Sequence, residues 1–254
     1  MPSVNKKIYL FGNWKMYLDY EESVALAKDL VKEYVKNFPS EISMTVLPST
    51  LAIKSVVDLL KDSPISVGAQ NSYWIPKGGY TGEVSVEMLK KIGVKYILVG
   101  HSERRHIFKE SNHEVRKKLE AILEAELIPV VCVGETEKER EEGKTEEVIE
   151  TELRALFEDI IWPVHLPCFI AYEPVWAVGT GKACEPEEAE RMHAVIQKLT
   201  TALVPNLNFN LLYGGSVRKE NITSYIEKEH IQGVLVGQAS VKNDSWSTIV
   251  SQCV

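Results

Sequence analysis

Short apolar runs alternate with longer amphipathic stretches along the whole of this 254-residue chain. A run of about four to eight apolar residues between turn residues is typical of a buried β-strand. Eight such runs are present, at residues 8–11, 43–47, 65–69, 96–99, 128–133, 169–172, 209–213 and 233–236. The pattern therefore predicts eight strands, with room for a helix after each of them.

The stretches between the strands carry apolar positions at helical spacing. In residues 23–35 apolar side chains recur about every 3.6 residues, and residues 115–126 and 185–203 show the same rhythm. Pro186 stands near the start of the last stretch, at a first-turn position that suits proline. Eight strands that alternate with helices over about 250 residues predict a (β/α)8 barrel of the α/β class. A doubly wound open sheet is the alternative.

The composition is ordinary for a globular protein, with 44% hydrophobic and 26% charged residues. No linker rich in glycine and serine interrupts the chain, so we expect one barrel domain over residues 1–254. The net charge of -7 argues against nucleic acid as the main partner. An anionic substrate would need a local positive site against that background.

Membrane insertion and export are not indicated by the sequence. No apolar run approaches the roughly 18 residues that a spanning helix needs, and the start of the chain has no secretory pattern. The four cysteines, Cys132, Cys168, Cys184 and Cys253, show neither metal-ligand spacing nor disulfide density. We therefore expect no membrane association, a cytoplasmic location and reduced thiols.

Active sites in such barrels form at the C-terminal ends of the strands, so the residues after each strand are the candidates. Asn13 and Lys15 follow the first strand. Because they are two residues apart, an extended backbone would direct both side chains to the same side. A lysine directed into the mouth of a barrel needs an anionic partner. The alternative is an ordinary solvated lysine in a loop.

The fourth strand is followed by His101, Ser102 and Glu103. If a helical turn begins at Ser102, its free backbone amides face His101 and disfavour a positively charged ring. A neutral ring can donate a proton from one nitrogen to a developing oxyanion. Glu103 is a candidate partner for Lys15. The alternatives are a packed or surface histidine, and an acid that stabilises a helix N-terminus.

The sixth strand is followed by Glu173, which Pro174 restricts to extended backbone geometry. A surface glutamate is the alternative, but the apolar strand before it and the proline after it direct this carboxylate. A Pro-Val-Trp hinge and a glycine-flanked loop tip follow within ten residues. This order is typical of an enzyme that abstracts a proton while it excludes water.

Glycine clusters follow the last three strands. They are Gly179-Thr180-Gly181, Gly214-Gly215-Ser216 and Gly233-Val234-Leu235-Val236-Gly237. Each alone could simply mark a turn. Together they stand where barrels commonly bind phosphate through backbone amides and a short helix N-terminus.

The order and spacing of these segments resemble the triosephosphate isomerase family over the length of the chain. The segments that carry the resemblance are Gly12-Asn13-Trp14-Lys15-Met16, Val67-Gly68-Ala69-Gln70-Asn71, Lys77-Gly78-Gly79-Tyr80-Thr81-Gly82-Glu83, Val99-Gly100-His101-Ser102-Glu103-Arg104-Arg105, residues 171–182, Tyr213-Gly214-Gly215-Ser216 and Leu235-Val236-Gly237. A different phosphate-binding barrel enzyme would share the glycine clusters without the whole set. A catalytically inactive relative would lack at least one catalytic position, and none is lacking here.

The resemblance implies a single TIM barrel that interconverts dihydroxyacetone phosphate and D-glyceraldehyde 3-phosphate through an ene-diolate, in glycolysis and gluconeogenesis. It implies no cofactor and no metal. Glu173 would be the base and His101 the neutral electrophile. Lys15, with Glu103 as its partner, would stabilise the anionic substrate and intermediate, and Asn13 would add a hydrogen bond to a substrate oxygen.

The resemblance also implies a lid and a phosphate site. The lid would comprise Pro174, Val175, Trp176, Ala177, Val178, Thr180, Gly181 and Lys182. Tyr213 and Ser216 would latch its closed form, while Val178 and Leu235 would press on Glu173. The phosphate would be bound by Lys15, Asn13 and the backbone amides of Gly179, Ser216, Gly237 and Gln238.

Members of the family are typically homodimers in which the third loop, here residues 70–83, reaches into the neighbour. Thr81 would then approach the partner's site near Asn13 and Glu103. From the sequence alone this long connection could equally be a flexible surface loop.

Two positions depart from the pattern that is usual in the family. Gln238 replaces a second glycine, and its amide can donate to phosphate if the backbone stays near helical geometry. The second hinge reads Lys182-Ala183-Cys184 rather than Lys-Thr-Ala. We expect these changes to bear on phosphate binding and on lid kinetics, not on the catalytic groups.

Overall fold

The computed structural model describes residues 6–179, 182–205 and 207–254. Its eight strands are parallel and close into a barrel in the order β1 to β8. They are β1 (Ile8–Asn13), β2 (Ile42–Leu47), β3 (Ser66–Ala69), β4 (Tyr96–Val99), β5 (Ile128–Val133), β6 (Cys168–Tyr172), β7 (Phe209–Tyr213) and β8 (Gly233–Val236). The predicted (β/α)8 barrel is confirmed, and the open sheet is excluded.

The helices lie on the outside of the barrel. They are α1 (Tyr20–Tyr34), α2 (Ile53–Leu60), α3 (Val86–Lys91), α4 (Ser102–His106), α5 (Asn112–Glu124), α6 (Glu137–Glu141), α7 (Thr145–Phe157), α8 (Pro186–Leu203), α9 (Ile222–Ile226) and α10 (Asn243–Ser251). Helix α1 begins before residue 23 because Asp19 and Glu22 form a capping box. Helix α5 begins before residue 115 for the same reason, with Ser111 as its cap.

Side chains of the strands alternate between two apolar layers. In β4, Tyr96 and Leu98 point into the barrel, while Ile97 and Val99 pack against the helices. Both faces of the strand are therefore buried, which explains why the strands read as continuous apolar runs. The barrel closes where β1 meets β8. A Cβ on Gly233 would lie 2.0 Å from the carbonyl oxygen of Tyr9, so this seam requires glycine.

Two features of the described part of the chain bear on its environment. None of the helices there is both long and apolar enough to span a bilayer. All four cysteines are buried and carry free thiols.

Candidate active site

Polar residues from the C-terminal ends of the strands converge on a cavity of about 340 Å³. Asn13, at the end of β1, lines it together with Lys15, His101 and Glu173. The predicted phosphate-binding and lid residues that share the lining are Gly179, Ser216, Gly237, Gln238, Val178 and Leu235. The fold thus brings together residues that lie as far apart in the sequence as Asn13 and Gln238.

The backbone at Lys15 is left-handed, with φ at 49°, and is not extended as we expected. The reason we gave for a shared direction of Asn13 and Lys15 is therefore wrong, although both side chains line the cavity. The backbone N–H of Lys15 donates to Asn13 Oδ1 at 3.1 Å. The Gln70 side-chain amide donates to the carbonyls of Lys15 and Leu47, each at 2.9 Å. These bonds offset a conformation that costs about 1–2 kcal/mol in a residue with a Cβ.

The ammonium group of Lys15 lies beside a carboxylate and a glycine. Its Nζ is 2.7 Å from Glu103 Oε1. A Cβ on Gly237 would lie 3.3 Å from Lys15 Cε, so glycine leaves the space that the lysine occupies. An ammonium has three N–H donors and can hold both a carboxylate and a bound anion.

His101 is the N-cap residue of α4, and its ring orientation is set by that helix. Its Nδ1 accepts the backbone N–H of Glu103 at 3.2 Å. A ring nitrogen that accepts a hydrogen bond carries no proton, so in the neutral ring the proton is on Nε2. That Nε2 lies 3.0 Å from Glu173 Oε1.

The Glu173 carboxylate is almost fully buried, with 2% of the residue exposed. Its Oε2 accepts the backbone N–H of Ser102 at 2.9 Å, and its Oε1 faces His101. Burial by itself would raise the pKa of this carboxyl. The adjacent His101 side chain, the Ser102 amide and the charge of Lys15 outweigh burial and hold the pKa of Glu173 below its ordinary value. The group is therefore a carboxylate at neutral pH.

The segment predicted as a lid starts with Pro174 and a 3₁₀ turn, Val175–Ala177. Within this turn Trp176 donates its indole N–H to Glu135 Oε1 at 2.8 Å. Glu135 is fully buried, and burial raises its pKa although the indole bond opposes the shift. The Ser216 hydroxyl donates to the carbonyl of Ala177 at 2.9 Å. This end of the segment is therefore held to two neighbouring loops.

The second hinge of the predicted lid, residues 182–184, contacts β7. The Tyr213 hydroxyl accepts the backbone N–H of Cys184 at 3.2 Å. Gly179 is exposed and has φ at 71°, a conformation that favours glycine, and Lys182 is exposed. Thr180 and Gly181 lie outside the described residues.

Gln238, one of the residues predicted to bind phosphate, lines the cavity and departs from the family pattern. This residue begins a 3₁₀ turn, Gln238–Ser240, and is not among the residues with positive φ. The geometry thus meets the condition under which its amide can donate. Arg218, Lys219 and Lys242 also line the cavity, so cations gather there although the whole chain is acidic.

Thr81 lies in an exposed part of the connection between β3 and α3. The base of that connection is closed by hydrogen bonds from Tyr73 N–H to Val84 O at 2.8 Å and from Val86 N–H to Tyr73 O at 3.2 Å. Thr81 is not among the described residues that line the cavity of its own chain.

Our sequence reasoning overlooked several residues that hold the site together. Gln70 and Arg105 were noted only as parts of motifs, and Ser102 only as the start of a helical turn beside His101. Glu135 was not predicted, although it lies two residues beyond β5, at the C-terminal end of a strand. The Arg105 guanidinium donates to the Gly100 carbonyl at 2.7 Å.

Cys132, in β5, is buried beneath the site. Burial raises the pKa of its thiol well above the ordinary value, and the charge of Glu173 adds to the effect. The thiol is therefore protonated and serves packing, not nucleophilic attack.

Comparison with known proteins places the chain in a family. A family model described as "Triosephosphate isomerase" matches residues 8–253. Proteins named triosephosphate isomerase from Chlamydia muridarum and Clostridium tetani are 38% and 41% identical over 255 and 250 residues, which cover 99% and 97% of this chain and 93% and 96% of theirs. That of Caldanaerobacter subterraneus subsp. tengcongensis is 40% identical over 243 residues, or 94% of this chain and 97% of its own. The chain therefore belongs to the triosephosphate isomerase family of enzymes.

Proposed function

We propose that this chain interconverts dihydroxyacetone phosphate and D-glyceraldehyde 3-phosphate. The observation that carries the proposal is the contact between Glu173 and His101, 3.0 Å apart in a cavity that also holds Lys15. A buried carboxylate, a ring N–H and an ammonium are the groups that proton transfer next to a carbonyl requires. Family membership supports the same reaction.

Glu173 is the base in this mechanism. In the structure its two oxygens are engaged by Ser102 and His101, so the carboxylate must leave these donors to reach a substrate carbon. Loss of those hydrogen bonds in a dewatered site raises its pKa and so its basicity. The proton it removes from one carbon is returned to the neighbouring carbon.

The ene-diolate formed in this step is stabilised by three donors. The Nε2–H of His101 and the Asn13 amide act on the oxygens where negative charge develops, and the ammonium of Lys15 acts on the whole anion. Donors fixed in advance at such positions contribute about 3–4 kcal/mol each to a transition state. The steps are proton transfers, so the proposed reaction calls for no metal and no cofactor.

The phosphate is bound in the same cavity by backbone amides. Gly179, Ser216, Gly237 and Gln238 line that cavity, and backbone amides can bind a dianion without a side-chain charge. The segment from Pro174 to Lys182 closes over the substrate as a lid. Closure excludes water and suppresses loss of phosphate from the ene-diolate.

We also propose a homodimer. Met16, directly after Lys15, is 94% exposed in the single chain, and a partner would remove that apolar surface from water. The exposed loop with Thr81 would then reach the partner's site near Asn13 and Glu103. Met16→Arg should prevent dimerisation and give a monomer of 28.6 kDa by light scattering. Ile161→Arg is the control: Ile161 is 92% exposed in another part of the chain, and its replacement should leave the dimer intact.

The reaction belongs to glycolysis and gluconeogenesis, and a cytoplasmic location follows from that role. The four free, buried thiols support a reducing compartment.

The test is steady-state kinetics in both directions with metal-free protein. Wild type should turn over rapidly, and Glu173→Gln should lose about 10²- to 10⁴-fold in kcat while it folds normally by circular dichroism. Glu190→Gln is a matched control, since Glu190 bonds His230 on the helix side of the barrel. Near-wild-type turnover of Glu173→Gln would refute the base assignment. A folded wild type without turnover would favour an inactive relative.

A further inference from the structure

We propose that Tyr225 is a positioning residue that holds the second hinge of the lid, residues 182–184, through Cys184. The inference rests on the proposed function, since the lid matters for that reaction. Tyr225 is 1% exposed, and its hydroxyl donates to the Cys184 carbonyl at 2.5 Å. The backbone N–H of Cys184 donates to the Tyr213 hydroxyl at 3.2 Å. Two tyrosines therefore engage both backbone polar groups of Cys184.

The two tyrosine rings also support one another. They stack with centroids 4.1 Å apart and planes 17° apart. A Cβ on Gly215 would lie 2.2 Å from the Tyr213 hydroxyl, so glycine at this position leaves the space that the hydroxyl occupies. Burial raises the pKa of Tyr225, which keeps its hydroxyl protonated and able to donate. The pair is a rigid anchor for the backbone of Cys184.

The segment that carries Tyr225 also holds the N-terminal end of the lid. Ser216 donates to the carbonyl of Ala177, and its own carbonyl accepts from the Asn221 side-chain amide at 2.9 Å. Asn221 is the N-cap residue of α9, the helix that contains Tyr225. One unit of strand, loop and helix therefore contacts the lid segment at both ends.

Loss of the Tyr225 hydroxyl should loosen the lid at Cys184. The Cys184 carbonyl would lose its donor, and ordering the lid over the substrate would cost more. An open site lets the ene-diolate decompose. Its carbon–oxygen bond to phosphate breaks, the electron pair leaves with the phosphate, and the remaining enol becomes methylglyoxal. Phosphate released per isomerisation therefore reports on the lid.

The experiment uses Tyr225→Phe, which keeps the ring and its stacking. We expect kcat/KM for isomerisation to fall about 3- to 10-fold, as for the loss of one buried hydrogen bond. Phosphate released per turnover should rise, and backbone amides of residues 182–189 should exchange hydrogen faster without substrate. Tyr34→Phe is the matched control, because Tyr34 is a buried tyrosine of α1 and lies outside the segments that hold the lid.

A double variant with Tyr213→Phe tests whether both hydroxyls act on Cys184. The combined loss should then be smaller than the product of the single losses. If Tyr225→Phe lowers only the melting temperature, with phosphate release and exchange unchanged, the residue is structural and the inference fails. If wild type has no isomerase activity, the proposed function fails, and exchange at residues 182–189 still decides whether Tyr225 positions Cys184.

Discussion

The side-chain amide of Gln70 donates a hydrogen bond to the backbone carbonyl of Lys15, 2.9 Å away, across 55 positions of sequence. This bond holds Lys15 in its left-handed conformation. Gln70→Ala removes it, together with the bond to Leu47. We expect kcat/KM to fall about 10-fold, because the ammonium is no longer held at the cavity, and stability to fall by about 1–3 kcal/mol. Kinetics and urea unfolding measure the two effects.

The control for that variant is Gln232→Ala. Gln232 accepts the backbone N–H of Leu211 at 2.7 Å, just before β8 and away from the cavity. The Gln232→Ala variant should be less stable than wild type and should keep the wild-type kcat/KM. Equal kinetic losses in the two variants would show that general destabilisation, not the position of Lys15, explains the effect.

Replacement of Ser102 by proline should change the acid limb of the pH profile. Ser102 is the first residue of α4, where proline is tolerated, and ψ of 140° at His101 suits a residue before proline. The change removes the N–H that Glu173 accepts. Because that bond helps to keep the pKa of Glu173 low, its loss should raise this pKa and move the acid limb of kcat/KM to higher pH. Ser102→Ala keeps the N–H and should leave the limb in place; a shift in both variants would contradict this account.

A second pH effect is expected in stability, at Glu152. Its carboxylate accepts the Gly134 N–H at 2.9 Å and lies 3.4 Å from Arg105. Burial nevertheless raises the pKa of Glu152 from 4.5 to about 7. Between these values the folded state binds more protons than the unfolded state, so the contribution of Glu152 to stability is lost as pH rises through this window.

Glu152→Gln removes that titration. The free energy of unfolding of the variant, relative to wild type, should increase by up to about 3 kcal/mol between pH 4.5 and pH 7. Urea unfolding at a fixed protein concentration measures it. Parallel stability curves for the two proteins would show that the carboxyl does not titrate in this range.

Two lysines at the cavity should respond differently to salt. Lys15 is half-buried beside Glu103, whereas Lys242 is an exposed residue that lines the cavity. Lys15→Met should lower kcat/KM about 10- to 100-fold at every ionic strength, because a direct charged hydrogen bond is lost. Lys242→Met should have a small effect that disappears in high salt, because screening removes long-range attraction. Steady-state kinetics over a salt series would separate them, and a Lys15 effect that vanished in salt would contradict direct contact.

Local patterns were enough for the elements of the fold. The run at residues 96–99 predicts β4 because both faces of this strand are buried, so that its consecutive residues are all apolar. The start of α1 was misplaced although Asp19 and Glu22 lie in the sequence as a capping box. The apolar rhythm by itself does not mark a capped first turn, because the residues of the cap are polar.

Only part of the candidate site could be predicted from the sequence. Residues at strand ends could be picked out because parallel strands bring these ends to one face. The left-handed backbone of Lys15 could not be predicted, since its positive φ depends on Gln70, which follows a different strand. The resting contact of Glu173 with Ser102 joins residues 71 positions apart and leaves no local signal.

The sequence by itself thus determined the barrel, its strand order and several of the residues at its mouth, because periodic burial and turn residues act over short distances. Tertiary structure alone decided how those side chains are held. The hydrogen bonds of Glu173 to Ser102, of Trp176 to Glu135 and of Tyr225 to Cys184 arise only when the closed barrel brings distant strand ends together. Each depends on distances of a few ångströms, which no local pattern of residues specifies.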